Sequence, residues 1–473
     1  MAEEFDVVIL GGGTGGYVAA IRAVQNGLSV AIVEKEKLGG TCLHKGCIPT
    51  KALLRSAEVL QTAKKADVFG IQTGEVSFDF ERVQKRKDDI VAQLYKGVRH
   101  LMKKGKITVY EGIGRLLGPS IFSPLPGTIS VERNDGSDNT MLIGQNVLIA
   151  TGSSPRTLPG LDVDGTSVLT SDEMLTLQKL PSSIVIIGGG VIGIEWASML
   201  ADFGVDVTVV EASERILPSE DADVSKEAAR LLEKKGIQFI VGAEVDVTEI
   251  KRLTEGARVP IKHEGENRLI EAEKLLLSVG RSANVQGIGL ENTDIEVIDG
   301  VISVNDVYQT KNPHIYAIGD VIGGLQLAHV ASHEGIIAVD HIARKKVEPL
   351  PYDQVPTCIY SSPEMARVGL TEEEARQRGE DVRTAIFPFK AIGKALVLGE
   401  DEGFVKLVVN ADQDVLGVHM IGPHVTDMIS ESALAKVLDA SHIELAETIR
   451  PHPSLSEIVG EVALAVDGKA IHL

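Results

Sequence analysis

The chain has 473 residues, 44% of them hydrophobic, and a formal net charge of −20. This length predicts about three or four domains with real cores, and the acidity excludes nucleic acid and anionic membranes as expected partners while favouring a basic one. Three cysteines are too few for a disulfide-built secreted scaffold. The acidic N-terminus lacks the basic region of a signal peptide, and no uncharged run is long enough to cross a bilayer, so we expect a cytoplasmic protein.

The first predicted elements occur twice. Residues 7–35 align without a gap with residues 184–212, and 11 of 29 positions are identical. Each copy predicts a buried parallel strand, a G-x-G-x-x-G turn, a helix and a second strand that ends in an acid. The glycines and acids are Gly11, Gly13, Gly16 and Glu34 in the first copy, and Gly188, Gly190, Gly193 and Glu211 in the second.

This pattern predicts two dinucleotide sites. The first glycine permits a tight turn, the second lets the backbone approach a pyrophosphate, and the third lets the helix pack on the strand. The N–H groups at the helix N-terminus face the phosphates. The acid can accept hydrogen bonds from ribose hydroxyls. Because a carboxylate there repels a 2′-phosphate, NAD is favoured over NADP at the site that holds the nicotinamide.

Two cysteines, Cys42 and Cys47, stand in GGTCLHKGCIPTKALL (39–54), shortly after Glu34. One C-x4-C pair is poor zinc spacing and Cys358 is distant, so no metal is expected. Five residues of a regular helix rise about 7.5 Å, whereas a disulfide needs Cα atoms within about 7 Å. We therefore expect a break in the helix. A dithiol reaches NAD only through an acceptor such as a flavin, so the pair is predicted to be a redox-active disulfide beside FAD, with NAD at the second site.

Later in the chain, two proline-rich stretches indicate boundaries between domains. The prolines of PRTLPG (155–160) predict a passage into the second nucleotide domain near residue 150, and PLPYDQVP (349–356) predicts another linker. Beyond it, strand-like runs alternate with an amphipathic helix near 427–438. These residues are expected to form a separate α+β domain.

The sequence resembles the pyridine nucleotide–disulfide oxidoreductases over nearly its whole length. The stretch GGTCLHKGCIPTKALL (39–54), which we call the redox loop, carries part of the resemblance. The rest lies in both glycine motifs, ATGSSPR, SVGRSAN, YAIGDV, LAHVASHEG and PHPSLSE. It implies an α/β fold with two Rossmann-like dinucleotide-binding domains and a C-terminal α+β dimerisation domain. The implied segments are an FAD-binding domain with the redox disulfide (1–149), an NAD-binding domain (150–282), a central segment that completes the FAD site (283–350) and an interface domain (351–473).

The resemblance also assigns roles to single residues. Cys42 would be the interchange thiol that meets the substrate, Cys47 would lie against the flavin, and Lys51, close to the flavin, would pair with Glu195. The implied FAD contacts are Gly11, Gly13, Gly16, Glu34, Lys51, Gly114, Asp320 and Ala328. The implied NAD contacts are Gly188, Gly190, Gly193, Glu211, Val245 and Gly280.

The implied acid–base group is His452, held by Glu457 and contributed across a dimer interface by the other subunit. The chemistry agrees, because an imidazole can deprotonate a dithiol near neutral pH and a carboxylate fixes its tautomer. The chain departs from the common family pattern at positions beside the reacting groups while it keeps every titrating one. These departures are Thr14, Leu43-His44-Lys45, Thr50, Arg450 and Ser454.

The activity that the resemblance implies is oxidation of dihydrolipoamide, free or on a lipoyl domain, to lipoamide with NAD as acceptor. The implied partners are a second copy of the chain and the acyltransferase core of a 2-oxo acid dehydrogenase complex. The alternatives are another reductase of the family, of the glutathione or mercuric type, and a mainly structural docked flavoprotein. Gly193 and Glu211 argue against the glutathione type, and the C-terminus lacks the further cysteine pair typical of the mercuric type.

Overall fold

A computed structural model describes residues 2–119, 127–254 and 256–472. Its strands are β1 (Ala2–Leu10), β2 (Val30–Glu34), β3 (Thr108–Leu117), β4 (Thr128–Arg133), β5 (Thr140–Ile149), β6 (Ser153–Pro155), β7 (Val168–Thr170), β8 (Ser183–Ile187), β9 (Asp206–Val210), β10 (Gln238–Ile240), β11 (Glu244–Val245), β12 (Lys251–Leu253), β13 (Gly256–His263), β14 (Glu266–Ala272), β15 (Lys274–Leu277), β16 (Arg281–Ala283), β17 (Val297–Ile298), β18 (Val301–Ile302), β19 (Ile315–Ala317), β20 (Thr357–Ile359), β21 (Glu364–Gly369), β22 (Arg383–Pro388), β23 (Phe404–Val409) and β24 (Val415–Gly422).

The α-helices are α1 (Thr14–Gln25), α2 (Gly40–His44), α3 (Cys47–Lys64), α4 (Phe80–Lys104), α5 (Ser171–Met174), α6 (Val191–Asp202), α7 (Ala222–Glu233), α8 (Ala328–Ile342), α9 (Glu372–Gln377), α10 (Gly393–Leu398), α11 (Val425–Val437), α12 (His442–Glu447) and α13 (Glu457–Ala465). Among the residues that the structure describes, no helix combines the length and the apolar character that crossing a bilayer would need.

The chain divides into two compact units, and the first comprises Met1–Ala52, Arg82–Arg156 and Arg281–Leu350. Its sheet has β3, β2, β1, β5 and β19 in parallel order, with β4 antiparallel between β3 and β5. The last four residues of β1, VVIL (7–10), are apolar and buried, as a central parallel strand requires.

Helices α1 and α8 pack closely in this unit because small residues face each other. A Cβ on Gly15 would lie 3.1 Å from the Ala331 carbonyl oxygen. Arg22 of α1 and Asp340 of α8 also join the two helices. The Arg22 Nε donates to Asp340 Oδ1 at 2.8 Å, and its Nη2 donates to Asp340 Oδ2 at 2.5 Å. The contact holds the helix that follows the first glycine turn in a fixed position.

The second unit comprises Leu53–Glu81, Thr157–Gly280 and Pro351–Leu473. It contains a parallel sheet in the order β10-β9-β8-β15-β7 and an antiparallel sheet in the order β20-β21-β24-β23-β22. Helices α11 and α13 pack on the antiparallel sheet, and their buried residues join its core. The amphipathic helix predicted near 427–438 is α11, which begins two residues earlier and ends one residue earlier.

The predicted fold class is confirmed: both glycine motifs lie in parallel α/β sheets, and an antiparallel sheet with helices follows in the C-terminal part. The predicted boundaries of the four segments stay a prediction.

Candidate active site

The redox loop is formed by a break between two helices. Cys42 lies in the short helix α2, and Cys47 is the first residue of α3. Gly39, directly before α2, has a φ of 103°, in the left-handed region that favours glycine. A Cβ there would come 2.3 Å from Leu43 Cδ2. The backbone between the cysteines therefore departs from a straight helix, as their spacing predicts.

The two cysteines are thiols in this structure, and they interact with each other. The Cys42 side chain shares a hydrogen bond with Cys47, and this bond, together with burial, raises the pKa of Cys42 well above its ordinary value. A hydrogen bond with Thr14 and the charge of Lys51 act in the opposite direction on that pKa. Cys42 thus holds its proton more strongly than an ordinary thiol does.

The first glycine motif has two closed positions and one open one. Gly11 has a φ of +109°, and its Cβ would lie 2.2 Å from the Ala150 carbonyl oxygen, while a Cβ on Gly16 would lie 2.0 Å from the Gly11 oxygen. Neither position admits a side chain. At Gly13 the nearest atom to a Cβ is Gly40 Cα at 3.9 Å, and helix α1 begins directly after it. Space is therefore left at the N-terminus of that helix.

The second motif repeats this geometry. Gly188 has a φ of +107°, and its Cβ would lie 2.4 Å from the Ser278 carbonyl oxygen, while a Cβ on Gly193 would lie 2.0 Å from the Gly188 oxygen. A Cβ on Gly190 would meet no heavy atom within 4 Å, and α6 begins at the next residue. The middle glycine again faces open space at a helix N-terminus.

The acids that end the repeats lie against the glycine turns. Glu34 Oε2 accepts a hydrogen bond from the Gly12 N–H at 2.7 Å, and Glu211 Oε2 accepts one from the Gly189 N–H at 2.6 Å. An open turn, a helix N-terminus and a carboxylate are the groups that a dinucleotide requires for its pyrophosphate and ribose. Both places therefore fit a dinucleotide, and the assignment of FAD to the first unit and NAD to the second stays a prediction.

Asp320, a predicted FAD contact, is held by neighbours that the sequence does not reveal. Ser153 Oγ donates to Asp320 Oδ2, and Arg281 Nε donates to Ser153 Oγ at 2.7 Å. Arg281 Nη2 also donates to the Ser153 carbonyl at 2.8 Å. On the other side, the Gly319 N–H donates to the buried Glu334 carboxylate at 2.6 Å. These bonds fix both the carboxylate and the turn that carries it.

The remaining predicted FAD contacts belong to the same unit. Gly114 lies in β3, where a Cβ would come 2.5 Å from Leu10 Cδ1, so the sheet itself requires a glycine. Ala328 is the first residue of α8, and Lys51 lies one helical turn after Cys47 in α3. Their contacts with FAD stay predictions.

His452 and Glu457 form a pair in the second unit. His452 Nδ1 and Glu457 Oε1 are 2.8 Å apart, and the Ser454 N–H donates to Glu457 Oε2 at 2.8 Å. Burial raises the pKa of Glu457, but the bonds from Ser454 and His452 outweigh it and hold that pKa below its ordinary value. The carboxylate stays charged, so it accepts the Nδ1 proton and leaves Nε2 to take or give another. The His452 side chain is 82% exposed.

Three further predicted residues lie in the second unit. Glu195 follows the second glycine turn in α6, is 4% exposed, and accepts a hydrogen bond at Oε1 from the Tyr360 N–H at 2.9 Å. Its predicted pairing with Lys51 stays a prediction. Val245 ends β11, and Gly280, which has a φ of +98°, follows the end of β15 in the parallel sheet.

The structure therefore brings the two thiols and Lys51 together in one unit, and His452 and Glu457 together in the other. Sequence reasoning missed the side chains that contact Cys42 and Asp320. Thr14 drew attention only as a departure from the family pattern, although it contacts the Cys42 thiol. Ser153 and Arg281 stand inside ATGSSPR and SVGRSAN, which carried the resemblance without a role for either side chain.

Comparison with protein families gives two matches. Residues 5–335 match the pyridine nucleotide-disulphide oxidoreductase family, and residues 355–463 match the dimerisation domain of that family.

Among curated proteins, the chain is 66% identical over 473 residues to a dihydrolipoyl dehydrogenase of Bacillus subtilis (strain 168), covering all of both chains. It is 42% identical to a dihydrolipoyl dehydrogenase of Zymomonas mobilis, again covering all of both chains. Among solved structures, LpdA from Mycobacterium tuberculosis superposes with a TM-score of 0.89 at 28% identity, over 97% of this chain and 99% of that one. The HOCl-induced flavoprotein disulfide reductase RclA from Escherichia coli, as a Cu(II) complex, gives 0.86 at 29% identity, over 98% and 100%.

Proposed function

The chain belongs to the pyridine nucleotide-disulphide oxidoreductase family, and we propose that the Cys42–Cys47 pair, served by His452 and Glu457, is its reacting centre. The chain is a flavoprotein that oxidises dihydrolipoamide to lipoamide, with FAD and NAD as cofactors. The observation that carries the assignment of the centre is the hydrogen bond between the Cys42 and Cys47 side chains inside the redox loop.

The first step is removal of a proton from a substrate thiol. His452 Nε2 takes this proton, because Nδ1 carries its own proton toward the Glu457 carboxylate. The imidazolium that forms is stabilised by the same carboxylate, which the Ser454 N–H holds in place.

The second step is thiol–disulfide exchange. The substrate thiolate attacks Cys42 Sγ, a bond forms between the two sulfur atoms, and the Cys42–Cys47 bond breaks with Cys47 as the leaving thiolate. The second substrate thiol, deprotonated in turn, attacks the substrate sulfur of the mixed disulfide. Lipoamide leaves, Cys42 takes up a proton, and the two electrons of the substrate now reside on the cysteine pair.

In the reduced pair, the hydrogen bond with Cys47 and burial raise the pKa of the Cys42 thiol, and we infer that Cys47 is the thiol that passes the electrons on. When bound, FAD supplies the acceptor for the electron pair of the dithiol, and NAD supplies the final acceptor of a hydride. The chain binds these groups at Gly13 and Gly190, where the turns are open, and Glu211 disfavours a 2′-phosphate on the nicotinamide nucleotide.

The dimerisation domain supports a homodimer. We infer that His452 serves the thiols of the other subunit, because its side chain projects 82% exposed from a single chain while its own carboxylate partner is in place. We further infer that the dimer works in the cytoplasm, bound to the acyltransferase core of a 2-oxo acid dehydrogenase complex. That core supplies the dihydrolipoyl groups that the dimer oxidises.

A serine substitution at one thiol tests the centre. Cys47→Ser should retain FAD, measured as flavin absorbance of the purified protein, and should lose NAD reduction by dihydrolipoamide, because no disulfide can form. Cys358→Ser is the matched control, since Cys358 lies in β20 of the second unit. Full turnover by Cys47→Ser would refute the assignment.

A further inference from the structure

The C-terminal half of helix α4 carries a charge opposite to that of the whole chain. Residues 90–110 contain no aspartate or glutamate, although the formal net charge of the protein is −20. Five lysine and arginine residues stand in this stretch. The side chains that we call the basic face are those of Lys96, Arg99, His100, Lys103 and Lys104.

The basic face points away from the core. Helix α4 buries Val98 and Met102 in the core of the first unit, whereas every member of the basic face is exposed. Successive residues of a helix turn by about 100°, which places the basic face on the side opposite Val98 and Met102. Leu94 and Leu101, 43% and 42% exposed, flank it and add apolar surface.

Among the residues that the structure describes, the lysines of this face have no acidic partner. In the part of the chain that the structure describes, no carboxylate forms an ion pair with Lys96, Lys103 or Lys104, whereas Lys85 in the first half of the helix pairs with Asp89 at 3.0 Å. The helix dipole accounts for basic residues in the last turn. It does not account for Lys96, two turns earlier, in a protein with an excess of carboxylates.

The basic face adjoins the redox loop. The His44 ring, between the two cysteines in sequence, lies edge-on to the Tyr95 ring with centroids 5.3 Å apart. The Arg99 guanidinium lies 5.8 Å from the centroid of the same Tyr95 ring. His44 Nε2 donates to the Leu38 carbonyl at 2.9 Å, which fixes the loop side of this contact. A short path of side chains thus joins the loop that holds Cys42 to the basic face.

We propose that the basic face of α4 docks an acidic protein domain that carries the dihydrolipoyl group on a lysine arm. The inference rests on the proposed function, in which that group must reach Cys42. The four lysine and arginine side chains of this face, beside the redox loop, would steer and orient an acidic carrier, and the flanking leucines would supply apolar contact. A second copy of the chain that docked through its own basic face is a poorer occupant, because two basic faces repel each other.

Charge reversal tests the proposal. The variant Lys96→Glu/Lys103→Glu is compared with the control Lys226→Glu/Lys262→Glu, which makes the same change in net charge at exposed positions of the second unit. The measured quantity is kcat/KM, first with a reduced lipoyl domain of net negative charge and then with free dihydrolipoamide. At low ionic strength we expect the test variant to lose about tenfold with the domain and less than about twofold with the free substrate. Added salt should remove most of the difference.

Several outcomes would overturn the docking surface. These are an unchanged kcat/KM for the domain, an equal loss with both substrates, an equal loss in the control, or a change in oligomeric state on sedimentation. The neutral variant Lys96→Gln/Lys103→Gln should show a smaller loss in the same direction, and it avoids placing negative charge near the helix C-terminus. Failure of the wild-type protein to oxidise free dihydrolipoamide would instead refute the proposed function.

Discussion

At the scale of single residues, the chemistry depends on what each titrating group touches. Cys42 and His452 are of ordinary reactivity in isolation. A hydrogen bond with Cys47 raises the pKa of the Cys42 thiol, and a charged Glu457 directs the His452 ring so that Nε2 remains for the substrate. Without these neighbours the Cys42 thiol would hold its proton less strongly, and the His452 ring would not be oriented as a base.

Replacement of the base should separate its role from that of the flavin. We expect His452→Gln to lower kcat/KM for dihydrolipoamide by about 100-fold or more, because general base catalysis of this kind contributes about 10²- to 10⁴-fold. FAD content and NADH-driven reduction of an artificial dye should stay at wild-type levels, since neither needs the substrate thiol. Equal losses in the dye assay and the dihydrolipoamide assay would contradict the assigned role.

A second histidine should make stability depend on pH. His419 is fully buried, its Nε2 donates to the Leu370 carbonyl at 2.9 Å, and burial lowers its pKa from 6.5 to about 4 despite the opposing charge of Asp221. As pH falls below about 6.5, His419 binds a proton in the unfolded chain but stays neutral in the folded chain. Stability contributed by the neutral ring is therefore complete above pH 6.5 and lost progressively down to about pH 4.

The expected loss is about 3 kcal/mol over that window, at about 1.4 kcal/mol per pH unit. Denaturant unfolding of the wild type and of His419→Gln between pH 7 and pH 4 measures it. The wild type should lose more of its free energy of unfolding than the variant does on acidification. Parallel pH profiles would mean that His419 titrates normally.

At the scale of elements, the two glycine turns show which positions serve the fold and which serve the ligand. Gly193 meets the Gly188 carbonyl at 2.0 Å from its Cβ position, so the helix can pack on the turn only without a side chain. Gly190 has an extended backbone with a φ of −77°, which any residue adopts, and open space around its Cβ position. Packing therefore does not require glycine at this position, and we expect the absent side chain to matter to a bound nucleotide.

The two positions should respond differently to alanine or valine. Gly190→Val should leave the free energy of unfolding within about 1 kcal/mol of the wild type and weaken NAD binding at least tenfold, because the side chain would occupy the pyrophosphate space. Gly193→Ala should lower the melting temperature. Thermal melts beside an NADH titration distinguish the two effects, and unimpaired NADH binding by Gly190→Val would contradict the placement of the site.

In these elements, local patterns could be predicted from the sequence, whereas contacts between distant segments could not. The repeated strand–glycine–helix–acid pattern is local, so its strands, its turns and the positions of Glu34 and Glu211 could be predicted. The contacts of Asp320 could not, because Ser153 and Arg281 come from segments separated by more than a hundred residues. Thr14 likewise stands out in the sequence only as a departure from the family pattern, and the three-dimensional structure brings it to the Cys42 thiol.

At the scale of the whole molecule, catalysis is expected to need two chains. The thiols belong to the first unit, and the exposed His452 with Glu457 belongs to the second, within the part of the chain that matches a dimerisation domain. Sequence alone would not have selected His452 from twelve histidines. Its role came from a family resemblance, and the structure adds the contact with Glu457 that gives the role a physical basis.

The central claim is that the cysteine pair, the two nucleotide sites and the base form one path from dihydrolipoamide to NAD. The most direct measurement is NADH formation by the purified yellow protein with dihydrolipoamide and NAD, run beside NADPH oxidation with glutathione disulfide. We expect rapid NADH formation and no reaction in the second assay. Turnover only with NADPH and glutathione disulfide would contradict the account, because Glu211 and the substrate assignment would both be wrong.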